Sequence, residues 1–187
     1  MKIPPPLDAI LRDTDEVGFT MASDAQAGMF LRALAAMKPG GRVLELGTGT
    51  GIGTAWILDG LSSSGTLTTV DNDDRAQSIA RKHLGGDPRV RFHLGDGGLF
   101  LERSAETYDV IYADAWPGKF THLDFALARL AVGGVYFVDD LLPQTNWPEG
   151  HGARVDALVA DLEARPGFAA SRIMWSSGLM ILVRVAA

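Results

Sequence analysis

The chain has 187 residues, 47% of them apolar, and a formal net charge of −6, a length that buries one substantial core and is too short for two ordinary domains. With no cysteine, disulfides and thiolate metal sites are excluded, which leaves histidine and carboxylate as metal ligands. The acidic balance argues against a nucleic-acid binder, which needs a concentrated basic face to displace counterions from phosphate.

The opening Met1-Lys2-Ile3-Pro4-Pro5-Pro6 lacks the apolar stretch of a signal peptide. No later segment reaches the roughly eighteen unbroken apolar residues of a membrane span, so the expectation is a cytoplasmic protein without membrane partners. A short helix is predicted over Leu7 to Arg12. Ser23-Asp24-Ala25-Gln26 has capping-box spacing ahead of an apolar run through Met37, so a second helix is predicted to start near Ser23 and stop by Lys38-Pro39-Gly40-Gly41. Residues 1–38 are thus a helical segment and 42–187 an α/β core within one domain.

In that core, strand-like and helix-like runs alternate: Val43 to Leu46 then Ile52 to Leu61, Thr66 to Val70 then Asp73 to Leu84, Val90 to Leu94 then Gly97 to Arg103. Tyr108 to Ala113, a helix over Phe120 to Leu130, Val135 to Val138, and a helix with Val155, Leu158, Val159 and Leu162 on one face follow. This alternation predicts a doubly wound, mostly parallel sheet covered by helices on both faces. Arg165-Pro166-Gly167 ends the last helix. Only Ser176-Ser177-Gly178 separates the final strand-like runs, Phe168 to Trp175 and Leu179 to Val185, so these two must be antiparallel neighbours. Leu179 to Val183 is apolar throughout, which predicts burial on both faces.

The sharpest local signal is Glu45-Leu46-Gly47-Thr48-Gly49-Thr50-Gly51, where the first core strand turns into its helix. Glycines there admit unusual dihedrals and let a ligand lie against the backbone. The dinucleotide fingerprint fails, since its third glycine would fall on Ile52 or Thr54, and no Lys-Ser or Lys-Thr follows to make a phosphate loop. Carboxylates recur wherever a predicted parallel strand ends: Asp71, Asp96, Asp114, Asp139 and Asp140. Each taken singly is also a natural helix cap, the role expected of Asp73 or Asp74. As a set they border the crevice where open α/β sheets bind ligands, and they favour a sulfonium, ammonium or divalent cation over a pyrophosphate.

These residues resemble the class I S-adenosylmethionine-dependent methyltransferases, and more narrowly the O-methyltransferases that include catechol and caffeoyl-CoA O-methyltransferases. The resemblance runs from about Val17 to the C-terminus and rests on Met21 to Met29, Val43 to Gly51, Val70-Asp71-Asn72, Gly95-Asp96-Gly97 and Asp109 through Pro143. It implies a seven-stranded sheet in the order 3-2-1-4-5-7-6 with the seventh strand antiparallel. It also implies that Met21 and Ala22 lie near the methionine end of the cofactor, Gly47 and Thr48 hold its amino acid moiety, Asp71 takes the ribose hydroxyls, and Asp96 and Gly97 border the adenine. Where the family often has serine this chain has Gly53, which shifts any carboxylate contact to Thr54. The expected cofactor set is Met21, Glu45, Gly47, Thr48, Gly49, Thr54, Asp71, Asn72, Asp96, Gly97, Asp114 and Trp116.

The same resemblance implies a divalent cation, magnesium by preference, at Asp114, Asp139 and Asp140, the last standing where the family has Asn. Adjacent strand residues face opposite sides, so Asp139 and Asp140 converge only if the chain leaves strand geometry there. Asp114 and Lys119 are the expected catalytic residues. The family places its lysine three residues after the Asp, whereas Lys119 comes five later, so Pro117-Gly118 must form a turn that brings it back; otherwise Lys119 is a surface lysine. His122 is either an acid/base group or structural. Trp116, Pro143 and Trp147, with the irregular stretch Gln144 to His151, are expected to wall a flat acceptor or simply to pack as loops. The implied activity is O-methylation of a small hydroxylated, catechol-like molecule. The alternatives are a metal-independent methyltransferase, an aminopropyltransferase and a non-catalytic cofactor-binding module, and a homodimer stays open.

Overall fold

The computed structural model describes residues 3–145 and 147–186; Met1 and Lys2 of the opening segment, Asn146 of the irregular stretch, and Ala187 lie outside the described residues. The strands are β1 (Arg42–Leu46), β2 (Thr66–Asp71), β3 (Val90–Leu94), β4 (Tyr108–Ala113), β5 (Leu130–Val138), β6 (Phe168–Ile173) and β7 (Leu179–Arg184). The helices are α1 (Leu7–Glu16), α2 (Ala25–Ala36), α3 (Ile52–Gly60), α4 (Asp74–Leu84), α5 (Gly97–Arg103), α6 (Leu123–Ala128) and α7 (His151–Ala164).

The strands form one sheet in the order β3-β2-β1-β4-β5-β7-β6. Strands β1 to β5 pair in parallel, and β7 runs antiparallel to both β5 and β6. The alternation of side chains sorts the core into two layers. Val43, Val110 and Tyr112 join α2 and α3 residues such as Leu31 and Trp56 on one face. Leu44, Leu46 and Ile111 meet Leu101, Leu127, Leu158 and Leu162 on the other. Strand β7 sits between two neighbours with Leu179, Met180 and Leu182 buried, as its unbroken apolar run predicts, while β6 takes the more exposed edge.

Because β1 pairs in parallel with β2 on one side and β4 on the other, the chain leaves the sheet centre in opposite directions there, opening a crevice at the strands' C-terminal ends. Helix α1 leans on that crevice: Thr14 Oγ1 hydrogen-bonds Thr50 Oγ1 at 2.8 Å, and Asp13 pairs with Lys82 and His83 of α4, each at 2.7 Å. Among the described residues no helix is long and apolar enough to cross a membrane.

Three local expectations are corrected. The cap of α2 is Asp24, which accepts from the amides of Gln26 and Ala27, and not Ser23, whose hydroxyl is used elsewhere. The helix expected over Phe120 to Leu130 shrinks to α6, because the amides of residues 119, 120 and 121 all turn back to the Trp116 carbonyl and Leu130 already belongs to β5. Helix α1 runs four residues past Arg12, to Glu16.

Candidate active site

The glycine loop after β1 takes the dihedrals its composition allows: φ is 102° at Gly47, 50° at Gly49 and 94° at Gly51, all in the region that side chains disfavour. The loop is tied to β2 by the Gly47 amide on the Val70 carbonyl at 2.9 Å and the Gly49 amide on Asp71 Oδ2 at 2.7 Å. Its backbone floors a cavity of about 440 Å³, a size suited to a small-molecule ligand. Met21, Gly47, Thr48, Gly49, Asp71, Asn72, Asp96, Gly97, Asp114 and Trp116 all line this cavity. Asp96 also caps α5 through the Leu99 amide at 2.8 Å, and Asp73 caps α4, so capping and lining coexist in one residue.

Glu45 and Thr54 do not line the cavity. Glu45 is fully buried beneath the loop, where its Oε2 accepts the hydroxyls of Thr54 at 2.5 Å and Thr69 at 2.6 Å. Its Oε1 has no hydrogen-bond partner and faces the space that a side chain at Gly53 would fill. Burial pushes this carboxyl up to about 8, against the pull of the two threonine hydroxyls. Between about pH 4.5 and 8 the folded chain therefore keeps a proton that the unfolded chain has lost. Stability should fall as pH rises across that window, by at most about 1.4 kcal/mol per unit, and level off above it. Glu45→Gln should shrink the difference in urea-unfolding free energy between pH 5 and pH 8. An unchanged difference would refute the assignment.

A second cavity, of about 410 Å³, adjoins the first and shares Met21, Ala22, Ser23, Asp114, Ala115 and Trp116 with it. Its further walls include Lys119, Phe120, Asp139, Asp140, Trp147 and His151. The carboxylates of Asp114, Asp139 and Asp140 come together here, each offering an oxygen within 4.8 Å of the others. The condition for convergence is met because β5 ends at Val138 and Asp140 takes a left-handed φ of 59°. The tip of the β6–β7 hairpin holds this departure in place. The Leu141 amide bonds the Gly178 carbonyl at 3.0 Å and the Leu142 amide bonds the Ser177 carbonyl at 2.8 Å.

Burial and the neighbouring carboxylates raise the proton affinity of Asp114 and Asp140. Burial first, and then the Asp139 charge, raises Asp114 well above the usual carboxylate range, with Lys119 opposing. The same causes push Asp140 up to about 6. Asp139, 2% exposed, accepts the Tyr112 hydroxyl on Oδ2 at 2.7 Å, while its Oδ1 has no hydrogen bond and faces Lys119 Nζ at 3.7 Å. An oxygen-only cluster with one buried, unfilled acceptor, Asp139 Oδ1, fits a hard cation such as magnesium, which prefers carboxylate and water ligands.

Lys119 is 6% exposed, which excludes the surface alternative. Gly118, at φ 87°, makes the turn that the sequence required, and the Tyr136 hydroxyl donates to its carbonyl at 2.6 Å. His122 falls outside both cavities; it pairs with Glu102 at 3.4 Å and lines a neighbouring groove. Trp116 and Trp147 wall the second cavity, and Pro143 does not. Ser23 and Tyr112 join the site in addition to the residues expected there, and His151 enters it as the end of the irregular stretch expected on this rim. Ser23 Oγ donates to Asp114 Oδ2 and meets the Tyr112 hydroxyl, both at 3.1 Å. The His151 ring packs edge-on against Phe120 and Trp147, with centroids 5.2 and 4.8 Å away.

A doubly wound sheet of this strand order, with a glycine-loop cavity and an acidic cavity meeting at Asp114, defines a methyltransferase-type architecture. The family model described as "Methyltransferase domain" matches residues 44–141, just over half of the chain, and the chain belongs to that family. A Mycolicibacterium smegmatis protein provisionally named an O-methyltransferase is 35% identical over 108 residues, 55% of this chain and 51% of that one. A Mycobacterium leprae protein with the same kind of name is 34% identical over 119 residues, 59% of this chain and 53% of that one. The matched region thus spans about half the length of these relatives. Among solved structures, one from Klebsiella pneumoniae, also provisionally named an O-methyltransferase, superposes with a TM-score of 0.83 at 25% identity over 97% of this chain and 90% of the other. A Bacillus cereus O-methyltransferase in complex with S-adenosylhomocysteine has the same fold, with a TM-score of 0.81 at 22% identity over 95% of this chain and 90% of that one.

Proposed function

We propose that the chain transfers the methyl group of S-adenosylmethionine to a hydroxyl of a small, catechol-like acceptor, with a divalent cation held by Asp114, Asp139 and Asp140. The observation that carries this reading is the meeting of two cavities at Asp114, one floored by the glycine loop and the other holding three clustered carboxylates. The Bacillus cereus neighbour's complex with S-adenosylhomocysteine and the names of the mycobacterial relatives support it.

The donor, when bound, supplies an electrophilic methyl on a sulfonium, whose positive charge suits a cavity bordered by Asp71, Asp96 and Asp114. In-line attack then depends on holding two reactants in register and keeping water out. Trp116, Ala115 and Met21 form the shared wall across which donor and acceptor face each other. A bound cation supplies charge that lowers the pKa of an acceptor hydroxyl beside it. Tyr112 and Ser23 fix the orientations of Asp139 and Asp114, and Lys119 Nζ, on the same cluster, is placed to stabilise the deprotonated acceptor oxygen.

The test is methyl transfer to catechol. EDTA should lower turnover by about 10²-fold or more, and added magnesium should restore it. Full turnover in EDTA would instead establish a metal-independent transfer. No calorimetric affinity for S-adenosylhomocysteine would overturn the reading altogether.

A further inference from the structure

The acceptor cavity continues into a groove of about 570 Å³ between α6 and α7, and the two share Lys119 and Phe120 in their walls. The other cations along this groove already have acidic partners. Arg165 pairs with Asp161 at 2.8 Å and also with Asp124, His122 with Glu102, and Lys119 with Asp139. Arg154 is the exception: among the described residues it makes no ion pair or hydrogen bond. Its guanidinium instead lies over the Trp116 ring, 5.2 Å from the centroid. Trp116 is one of the residues that border both the donor and the acceptor cavity.

A guanidinium held over an indole by cation–π attraction keeps N–H donors for a partner, and its planar fork matches a carboxylate. Arg154 lines the groove and not the acceptor cavity itself, while Asp114, Asp139 and Asp140 stand in that cavity. The rings of Trp116, Phe120, Trp147 and His151 wall the same cavity, set for edge or face contact with a flat molecule. Arg154 follows His151 by three residues on α7, so both project from one side of the helix toward this wall.

We infer that Arg154 determines specificity by receiving a carboxylate on the acceptor's ring, opposite the hydroxyls, so that the acceptor is an aromatic acid and not a neutral catechol. This rests on the methyl-transfer reading for the identity of the hydroxyl end, while the charge preference itself is measured without turnover. The protein saturated with S-adenosylhomocysteine and magnesium is titrated calorimetrically with catechol and with 3,4-dihydroxybenzoate. The wild-type chain should bind the carboxylate-bearing compound about tenfold more tightly, a preference that weakens with added salt. Arg154→Gln should bring the ratio of the two affinities to about one, and Arg154→Lys should retain part of it.

No preference in the wild-type chain, including failure of both compounds to bind, would overturn the inference. So would a ratio that survives Arg154→Gln, since a packing role for Arg154 would change both affinities together. Failure to methylate either compound, with the Arg154-dependent preference intact, would count against the methyl-transfer reading alone.

Discussion

Asp139→Asn is expected to lower kcat/KM for methyl transfer by about 10²–10³-fold, the scale on which loss of one preorganised electrostatic contact acts. Asp139 carries three contacts at once: it lies in the cluster with Asp114 and Asp140, it orients Tyr112, and it faces Lys119 from the buried side. An amide keeps the shape and the hydrogen bond from Tyr112 but removes the charge that holds Lys119 and would hold a cation. Affinity for S-adenosylhomocysteine should change by no more than about twofold, because Asp139 lines the second cavity and not the glycine-loop cavity. Steady-state kinetics beside a calorimetric titration separates the two effects. Equal losses in turnover and cofactor affinity would show that the substitution had disturbed the shared wall.

Gly47→Ala should abolish cofactor binding and also weaken the fold. At φ 102° the residue occupies a region that a Cβ disfavours, and the added carbon would lie on the backbone carbonyl of Asp114, which has no freedom to rotate away. A left-handed dihedral costs roughly 1–2 kcal/mol and a forced backbone shift about 1–3 kcal/mol more. For a chain of this length a loss of about 3 kcal/mol corresponds to a fall in Tm of roughly 6–12 °C. Thermal unfolding, with and without S-adenosylhomocysteine, reads both effects. A variant that melts within about 2 °C of wild type and is still stabilised by the cofactor product would contradict the close approach.

What the sequence determined by itself is the part of the molecule that rests on local periodicity. Strand and helix runs alternate with periods of about two and 3.6, glycines cluster where the first strand must turn, and acidic residues end the parallel strands. These place Asp71, Asp96 and Asp114 on one rim without any knowledge of packing, because the C-terminal ends of parallel strands share an edge. Tyr112 is legible on the same ground: it lies on β4 two residues before Asp114, with a polar tip on an otherwise apolar side.

The rest was decided by tertiary contacts that leave no local mark. Whether Asp139 and Asp140 face one another depended on a left-handed turn at Asp140, held by a hairpin tip some forty residues further along the chain. The direction of Lys119 was set by the turn at Gly118, anchored by Tyr136 from the neighbouring strand. Glu45 reads as one more rim carboxylate, yet it lies under the loop because, at strand register, its side chain points to the face that α3 covers, where Thr54 and Thr69 receive it. Ser23 reads as a cap, but Asp24 takes that place and frees the Ser23 hydroxyl for Asp114. Periodicity fixes which face of an element is buried; where a side chain at the end of that element points is fixed by what packs against it, and those partners are distant in sequence.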